Sequence, residues 1–226
     1  MSRFRVVSAN LWNGGADPAA FADFVASVAP DIVAVQELSP EQAEALASVM
    51  PHGRLEPRRD YCGMGIALRQ PGVVRRLPMP HRDACVAILD SLDSGEPVEI
   101  VNIHIVAPHF SVPWTTARVR RGQLRRLETH MDATPERRRV VVGDFNATPL
   151  WPVYRRLAAR LTDAAAEVAR RHGRRAPRTW GPTPGAPRLL RIDHAFVSRR
   201  LAIEAVHTVP VPGADHNALV VDLRIE

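Results

Sequence analysis

Carboxylates, amides and imidazoles recur at one kind of position in this chain, where an apolar run stops. Asn10 ends the run that begins at Phe4, Gln36–Glu37 ends the next, and His104 sits late in the run from Val98. Asp144–Phe145–Asn146 follows three valines, and Asp193 and Asp215–His216 flank the closing hairpin. Strand ends gather on one rim of a sheet, so groups spread over most of the chain can share one cleft.

Together these groups suit hydrolysis of a phosphate ester assisted by a hard cation. Mg²⁺ takes oxygen ligands, keeps several waters and binds through one or two carboxylates, which Glu37 can supply with help from Asn10 or Asp215. Mn²⁺ is a plausible substitute. The cation would neutralise charge on phosphoryl oxygens. In the Asp144-x-Asn146 pair, one carboxylate can align or deprotonate a water and one amide can donate a hydrogen bond to phosphate. His216, next to Asp215, has a charge state easily tuned near neutral pH. Taken singly, each has a structural alternative: Asn10 as a turn cap, Glu37 as an exposed charge, His104 as a satisfied core histidine, Asp144–Asn146 as an Asx turn and His216 as a surface residue.

The elements that must position them follow from periodicity. Phe4–Leu11 reads as a strand, and Asp17–Pro18 caps a helix whose Phe21, Phe24, Val25 and Val28 share one face until Pro30. Asp31–Val35 is a second, wholly apolar strand, and Ser39-Pro40-Glu41-Gln42 resembles a capping box opening a helix to about Met50. Short β-rich runs at Met64–Arg69, Val73–Leu77, Ala84–Leu89 and Val98–Val106 suggest an antiparallel meander. Helical spacing returns from Trp114 to Met131, Val140–Asp144 is a buried strand, and Val153–Arg171 reads as one amphipathic helix. His172–Arg188 reads as a long surface loop, and Leu190–Val197, Ala202–Val209 and Ala218–Ile225 close the chain as strands. Strands mixed with about four helices predict two sheets packed face to face with helices outside, a layered α/β sandwich formed by a single domain over residues 1–226.

Composition sets the outer limits. At 226 residues, 46% apolar and 24% charged, the chain has globular values that exclude global disorder. No window reaches the roughly 18 apolar residues of a membrane span, and the chain enters a strand almost at once, so a soluble, cytoplasmic protein is expected, with a monomer as the default. Cys62 and Cys85 carry no metal-ligand spacing. The net charge of +6 favours a polyanionic partner, but all 30 basic residues are arginine, a bias that GC-rich coding alone would produce. His109, Arg118, Arg120 and Gln123 can line a cleft or form a solvated face, His194 is expected to be structural, and Arg137–Arg139 a solvated turn. Trp114, Trp151 and Trp180 lie in or beside loops, and Arg174, Arg175 and Arg178 make a basic-aromatic patch with Trp180.

Six segments, Ser8-Ala9-Asn10-Leu11-Trp12, Val35-Gln36-Glu37, Asn102-Ile103-His104, Gly143-Asp144-Phe145-Asn146, Arg191-Ile192-Asp193-His194 and Ala214-Asp215-His216-Asn217, stand in the order of the motifs of the endonuclease/exonuclease/phosphatase family, which the chain resembles from end to end. The resemblance implies a four-layer αββα sandwich. It implies Glu37 as principal metal ligand with Asn10 beside it, Asp144 activating water, Asn146 holding phosphate, and Asp193 hydrogen-bonded to His216 near the scissile phosphate. His104 would contact a phosphate oxygen or transfer a proton, and Asp215 would complete the metal or proton network. Trp12 stands where some nuclease members have an acid, and Ala214 where serine is common. The implied activity is that of a metal-dependent phosphoesterase, possible substrates being nucleic acid, a small phosphorylated metabolite or a phospholipid headgroup. A catalytically inactive binding module and another reaction on the same scaffold are the remaining alternatives.

Overall fold

Alternation of buried side chains builds the molecule outward from two sheets. The computed structural model describes residues 2–90 and 97–226. One six-stranded sheet has the order β11-β12-β1-β2-β4-β3 and the other β5-β6-β7-β8-β10-β9. In the first, β1 (Arg3–Asn10) runs parallel to β2 (Ile32–Gln36), while β3 (His52–Glu56), β4 (Met64–Leu68), β11 (Leu201–Pro210) and β12 (Asn217–Ile225) pair antiparallel. In the second, β7 (Val98–His104) is parallel to β8 (Arg138–Asp144), and β5 (Val73–Leu77), β6 (Ala84–Leu89), β9 (Thr162–Asp163) and β10 (Asp193–Val197) add antiparallel pairings. Both sheets are thus mixed and mainly antiparallel.

Because successive strand residues face opposite sides, the central strands feed two cores. Val6, Ile32 and Ala34 meet Ile100, Val140 and Val142 between the sheets. Their neighbours Val7, Ala9, Val33 and Val35 face outward onto Phe21, Val25 and Leu46 of α1 (Pro18–Val28) and α2 (Pro40–Val49). On the opposite side Val101 and Val141 pack against Leu124, Leu127 and Leu157 of α3 (Pro113–Asp132) and α4 (Pro152–Ala158). The result is the expected αββα sandwich. The predicted caps form: the Asp17 carboxylate accepts from Ala20 N–H, and Ser39 and Gln42 close a reciprocal capping box.

Several sequence expectations need correction. The helix read over Val153–Arg171 is two, α4 and α5 (Ala164–Arg171), because Thr162 and Asp163 pair with Val197 and Phe196 as β9 and the Asp163 carboxylate then caps Ala166 N–H. Among the described residues five helices result, and α5 contributes Ala164 and Val168 to the core between the sheets. Strand β3 escaped the reading because its residues are largely exposed and lack alternation. Arg138 and Arg139 are not a solvated turn but buried β8 residues. Arg139 Nε–H donates to Glu99, whose carboxylate is fully buried, and His130 Nε2 lies 3.1 Å from the same carboxylate. Among the described residues, no helix is long and apolar enough to cross a membrane.

Breaking a buried ion pair strands its partner's charge at a cost of several kcal/mol, whereas replacing both members with apolar groups can be neutral. Arg139→Met is therefore expected to lower unfolding free energy by about 3 kcal/mol in urea titrations, and Glu99→Leu/Arg139→Met to recover most of that loss.

Candidate active site

The parallel pairs β1–β2 and β7–β8 end on the same rim, and the polar residues that punctuated the sequence meet there. Asn10 and Glu37 come from the first sheet, His104, Asp144 and Asp193 from the second, Asn146 from the turn after β8, and Asp215 and His216 from the turn entering β12. All are buried except Asn146, which is half-buried, and a cleft of about 670 Å³ opens onto Glu37, His104, Asp144, Asn146, Asp215 and His216.

Hydrogen bonds fix the set as one network. The Asn10 amide donates to Glu37 Oε1 and to Asp144 Oδ2, both at 3.1 Å, and so joins the sheets. Asp144 Oδ1 accepts the backbone N–H of Asn146 at 2.7 Å, the Asx turn that sequence allowed, and the Asn146 amide returns to Asp144 Oδ2 and to Ile105 O. His216 Nδ1–H donates to Asp193 at 2.9 Å, leaving Nε2 3.9 Å from both Asp144 Oδ2 and Asp215 Oδ1. Trp180 donates its indole N–H to Asp215 Oδ2 at 2.9 Å. The Arg82 guanidinium donates to His104 Nδ1, which places the imidazole proton on Nε2, facing Asp144 Oδ2 at 3.5 Å and Glu37 Oε1 at 3.7 Å.

Backbone geometry at this rim is unusual. Glu37 and Asn146 adopt left-handed φ of 55° and 46°, conformations that side-chain-bearing residues hold only when their surroundings impose them. Gly143 has a φ of 139°, and a Cβ there would lie 1.9 Å from Ile103 O, so only glycine lets β8 approach β7 one residue before Asp144.

Burial and neighbouring charge set the protonation states. Burial pushes the Glu37 carboxyl up, partly opposed by the Asn10 hydrogen bond. Burial and the charge of Asp193 push Asp144 up, against the pull of His216. For His216 burial alone would favour neutrality, but the charge and hydrogen bond of Asp193, with Asp144 and Asp215, raise it to about 10. Burial, the Arg82 charge and the His216 charge instead keep His104 neutral.

Two buried carboxylate oxygens, Glu37 Oε2 and Asp215 Oδ1, have no hydrogen-bond partner. Unpartnered buried anionic oxygens are the donors a hard divalent cation takes, so these residues fit one. Ligand atoms of Asp144, Asp193 and His216 also lie within 4.8 Å of one another, but Asp193 spends both oxygens on the His216 N–H.

Other sequence candidates sort clearly. His194 is structural: it bonds Ala147 O and, with Arg191 and Asp163, backs the Asp144–Asn146 turn. Arg120 and Gln123 are buried rather than solvated, Arg120 donating to Asn146 O and stacking over Trp151, and Gln123 accepting from Val106 N–H. Arg118 is exposed, His109 lines the cleft, and Trp114 is 70% exposed on α3. The basic-aromatic patch divides, since Trp180 turns into the cleft whereas Arg174 and Arg175 line a separate groove beside β11. Sequence reading missed Arg82, Tyr61, His81 and Phe110, which also line the cleft. They sit on loops instead of strand ends, and the one available signal was the polar triplet His81–Asp83 just ahead of an apolar run.

A sandwich carrying a buried carboxylate–imidazole centre across its two sheets defines a class of hydrolase scaffold. The sequence profile of the Endonuclease/Exonuclease/phosphatase family matches residues 7–216, and the chain belongs to that family, whose members hydrolyse phosphate esters. Solved structures share the fold at low identity. The human Nocturnin catalytic domain with bound sulfate is 19% identical, covering all of this chain and 94% of its own, with a TM-score of 0.74. D. rerio TDP2 complexed with single strand DNA product is 15% identical, covering 99% and 100%, with a TM-score of 0.72. The Bacteroides thetaiotaomicron mannosyl-6-phosphatase Bt3783 is 16% identical, covering 98% and 100%, with a TM-score of 0.71. No curated protein matches the chain by sequence.

The cluster behind the Asp144 turn yields a pH test. Burial alone would raise the Asp163 carboxyl, but the His194 hydrogen bond and charge, Arg191 and the Ala166 N–H hold it far below its ordinary 3.8. A depressed native value means a stabilising contribution that is complete above the unfolded value and shrinks as pH falls beneath it. Thermal melts are therefore expected to show Asp163→Asn less stable than wild type at pH 7, with the gap narrowing below about pH 4.

Proposed function

We propose that the chain is a divalent-metal-dependent phosphoesterase that hydrolyses a phosphodiester or phosphomonoester bond by attack of water, acting as a single domain. The observation that carries this reading is the meeting of Glu37, His104, Asp144, Asn146, Asp215 and His216 in one cleft, with Asn10 and Asp193 hydrogen-bonded to them and two buried carboxylate oxygens left unpartnered. Glu37, with Asn10 and Asp215, would hold Mg²⁺ or Mn²⁺, which when bound neutralises charge on the phosphoryl oxygens.

The chain's own residues supply the rest. Asp144, held by the Asn10 amide and by Asn146, has a basicity raised by burial, which suits a carboxylate that orients the attacking water and accepts its proton. His216 is cationic near neutrality and presents Nε2–H towards Asp144, where it can bind a phosphoryl oxygen as negative charge develops. Asp193 keeps that imidazole in one tautomer by accepting from Nδ1. Neutral His104, pinned through Nδ1 by Arg82, offers Nε2–H as a further donor, and Asn146 sits beside it to contact phosphate. Trp180 holds Asp215 by one oxygen and leaves the other facing inward.

Two of the three substrate classes have a counterpart among the neighbouring folds, in the single strand DNA product on TDP2 and in a mannosyl-6-phosphatase. Nucleic acid, a small phosphorylated metabolite and a phospholipid headgroup are accordingly the substrates to compare. A panel of nitrophenyl phosphates, DNA, RNA and phospholipids with Mg²⁺ is expected to reveal a turnover abolished by chelator. Asp144→Asn and His216→Ala should each lower kcat by about 10²–10⁴-fold. Glu37→Gln should weaken Mg²⁺ binding in calorimetry. Turnover that survives chelation, or that Asp144→Asn leaves intact, overturns the proposal.

A further inference from the structure

The cleft extends well beyond the carboxylate–imidazole centre, and its outer half has a character of its own. It is lined by Tyr61 from the β3–β4 loop, His81 and Arg82 from the β5–β6 loop, and Phe110 from the segment leading into α3. Three features of this half are unexplained by hydrolysis alone.

The first is the charge of Arg82. Its guanidinium is half-buried, donates to His104 Nδ1 and to Tyr61 O, and makes no ion pair among the described residues. Its Nε–H is buried without an acceptor. Arginine does not shed its proton, and the charges of Glu37, Asp144 and Asp60 act on it only through space, with none paired to it directly, so the half-buried guanidinium is open to a direct contact with an anion. It lines the same cleft as the centre that would cleave phosphate.

The second is the aromatic surface. The His81 and Phe110 rings lie with centroids 4.2 Å apart, and His81 is held at a left-handed φ of 73°. Phe110 is 37% exposed and Tyr61 56% exposed, although both stand in a concave wall where burial would be favourable. Rings left open to solvent inside a cleft are stacking platforms awaiting a planar partner.

The third is rigidity. Leu38, the residue after Glu37, donates its N–H to Gly63 O and accepts from Arg58 N–H, and a Cβ on Gly63 would lie 2.0 Å from Leu38 O. The turn bearing Tyr61 is thereby clamped to the residue beside Glu37, at a fixed offset from the centre. Preformed walls lower the entropic cost of binding.

We propose that Arg82, Tyr61, His81 and Phe110 form a subsite for a phosphate ester bearing a planar ring, the guanidinium binding a phosphoryl oxygen while the aromatic side chains stack on the ring. The shared chemistry is that of nucleoside and aryl phosphates, as opposed to sugar phosphates or lipid headgroups. A cleft of about 670 Å³ admits a group of that size. The assignment rests on the phosphoesterase reading for its orientation, since the phosphate must reach Asp144.

Calorimetry in Mg²⁺ buffer, on an Asp144→Asn background to stop turnover, tests it with adenosine monophosphate, phenyl phosphate and glycerol phosphate as probes. Ring-bearing phosphates are expected to bind about tenfold or more tightly than glycerol phosphate, and Tyr61→Ala and Phe110→Ala to erase that preference. Arg82→Met should weaken all three probes and Arg82→Lys restore part of the loss, with thermal melts showing both variants folded. A stronger response to adenosine monophosphate than to phenyl phosphate identifies nucleosides as the source, and equal responses identify aryl esters. Equal binding of ringed and ringless phosphates, or a preference that survives both aromatic substitutions, overturns the subsite. Binding and turnover fail separately: a ring preference without hydrolysis of any ester refutes the phosphoesterase reading alone, and hydrolysis without ring preference refutes only the subsite.

Discussion

Two buried amides hold the sheets in register, and the site depends on them. Gln36 on β2 donates to Asn102 Oδ1 on β7 at 2.6 Å, and Asn102 donates in turn to Val35 O and Gly65 O of the first sheet. Apolar contacts between sheets are non-directional and would tolerate a slide, whereas a directional hydrogen bond in a dry core does not. Gln36 precedes Glu37, and Asn102 lies two residues before His104 on the same face of β7. Fixing one pair of side chains therefore fixes the meeting of the catalytic candidates, and Asn10 repeats the link at the rim by bonding Glu37 and Asp144 together.

Local strain refines what register sets coarsely. A left-handed Glu37 turns its carboxylate out of the strand's alternation and into the cleft, and the glycine at 143 lets Asp144 arrive beside the end of β7. Behind these, the Asp163–Arg191 ion pair and His194 form a polar layer in which His194 holds Ala147 O. Polar groups thus support the site from both sides.

Much of this was legible in the sequence because strands announce themselves by alternation and their ends by a change to polar residues. The sandwich, most strands, both helix caps and the grouping of the site residues were readable on those grounds, and the Asp193–His216 bond was implied by the family resemblance. What was not readable depended on distant partners. Arg139 looked like one of three solvated arginines because Glu99 lies 40 residues away, and Arg120 looked like a surface charge because its acceptors are loop carbonyls. The two-residue β9 split a helical pattern only because β10 offered it an edge. Arg82 and the aromatic wall belong to loops, whose positions periodicity does not encode. Trp180 stood in a Gly- and Pro-rich stretch, yet bridges to Leu190 and His216 draw it inward.

The pairing of β1 with β12 has a temporal consequence. Asn10 ends β1 and His216 stands just ahead of β12, its antiparallel neighbour, though 206 positions separate the two residues and the whole of the other sheet lies between them in sequence. Residues 104–216 carry six of the eight site residues but lack Asn10 and Glu37, so that stretch alone cannot complete the centre. Contacts of such long sequence separation form late and slowly, after the loop entropy between them has been spent. Reactive geometry therefore requires nearly the whole chain to be in place, since no segment shorter than Asn10 to His216 holds all eight groups.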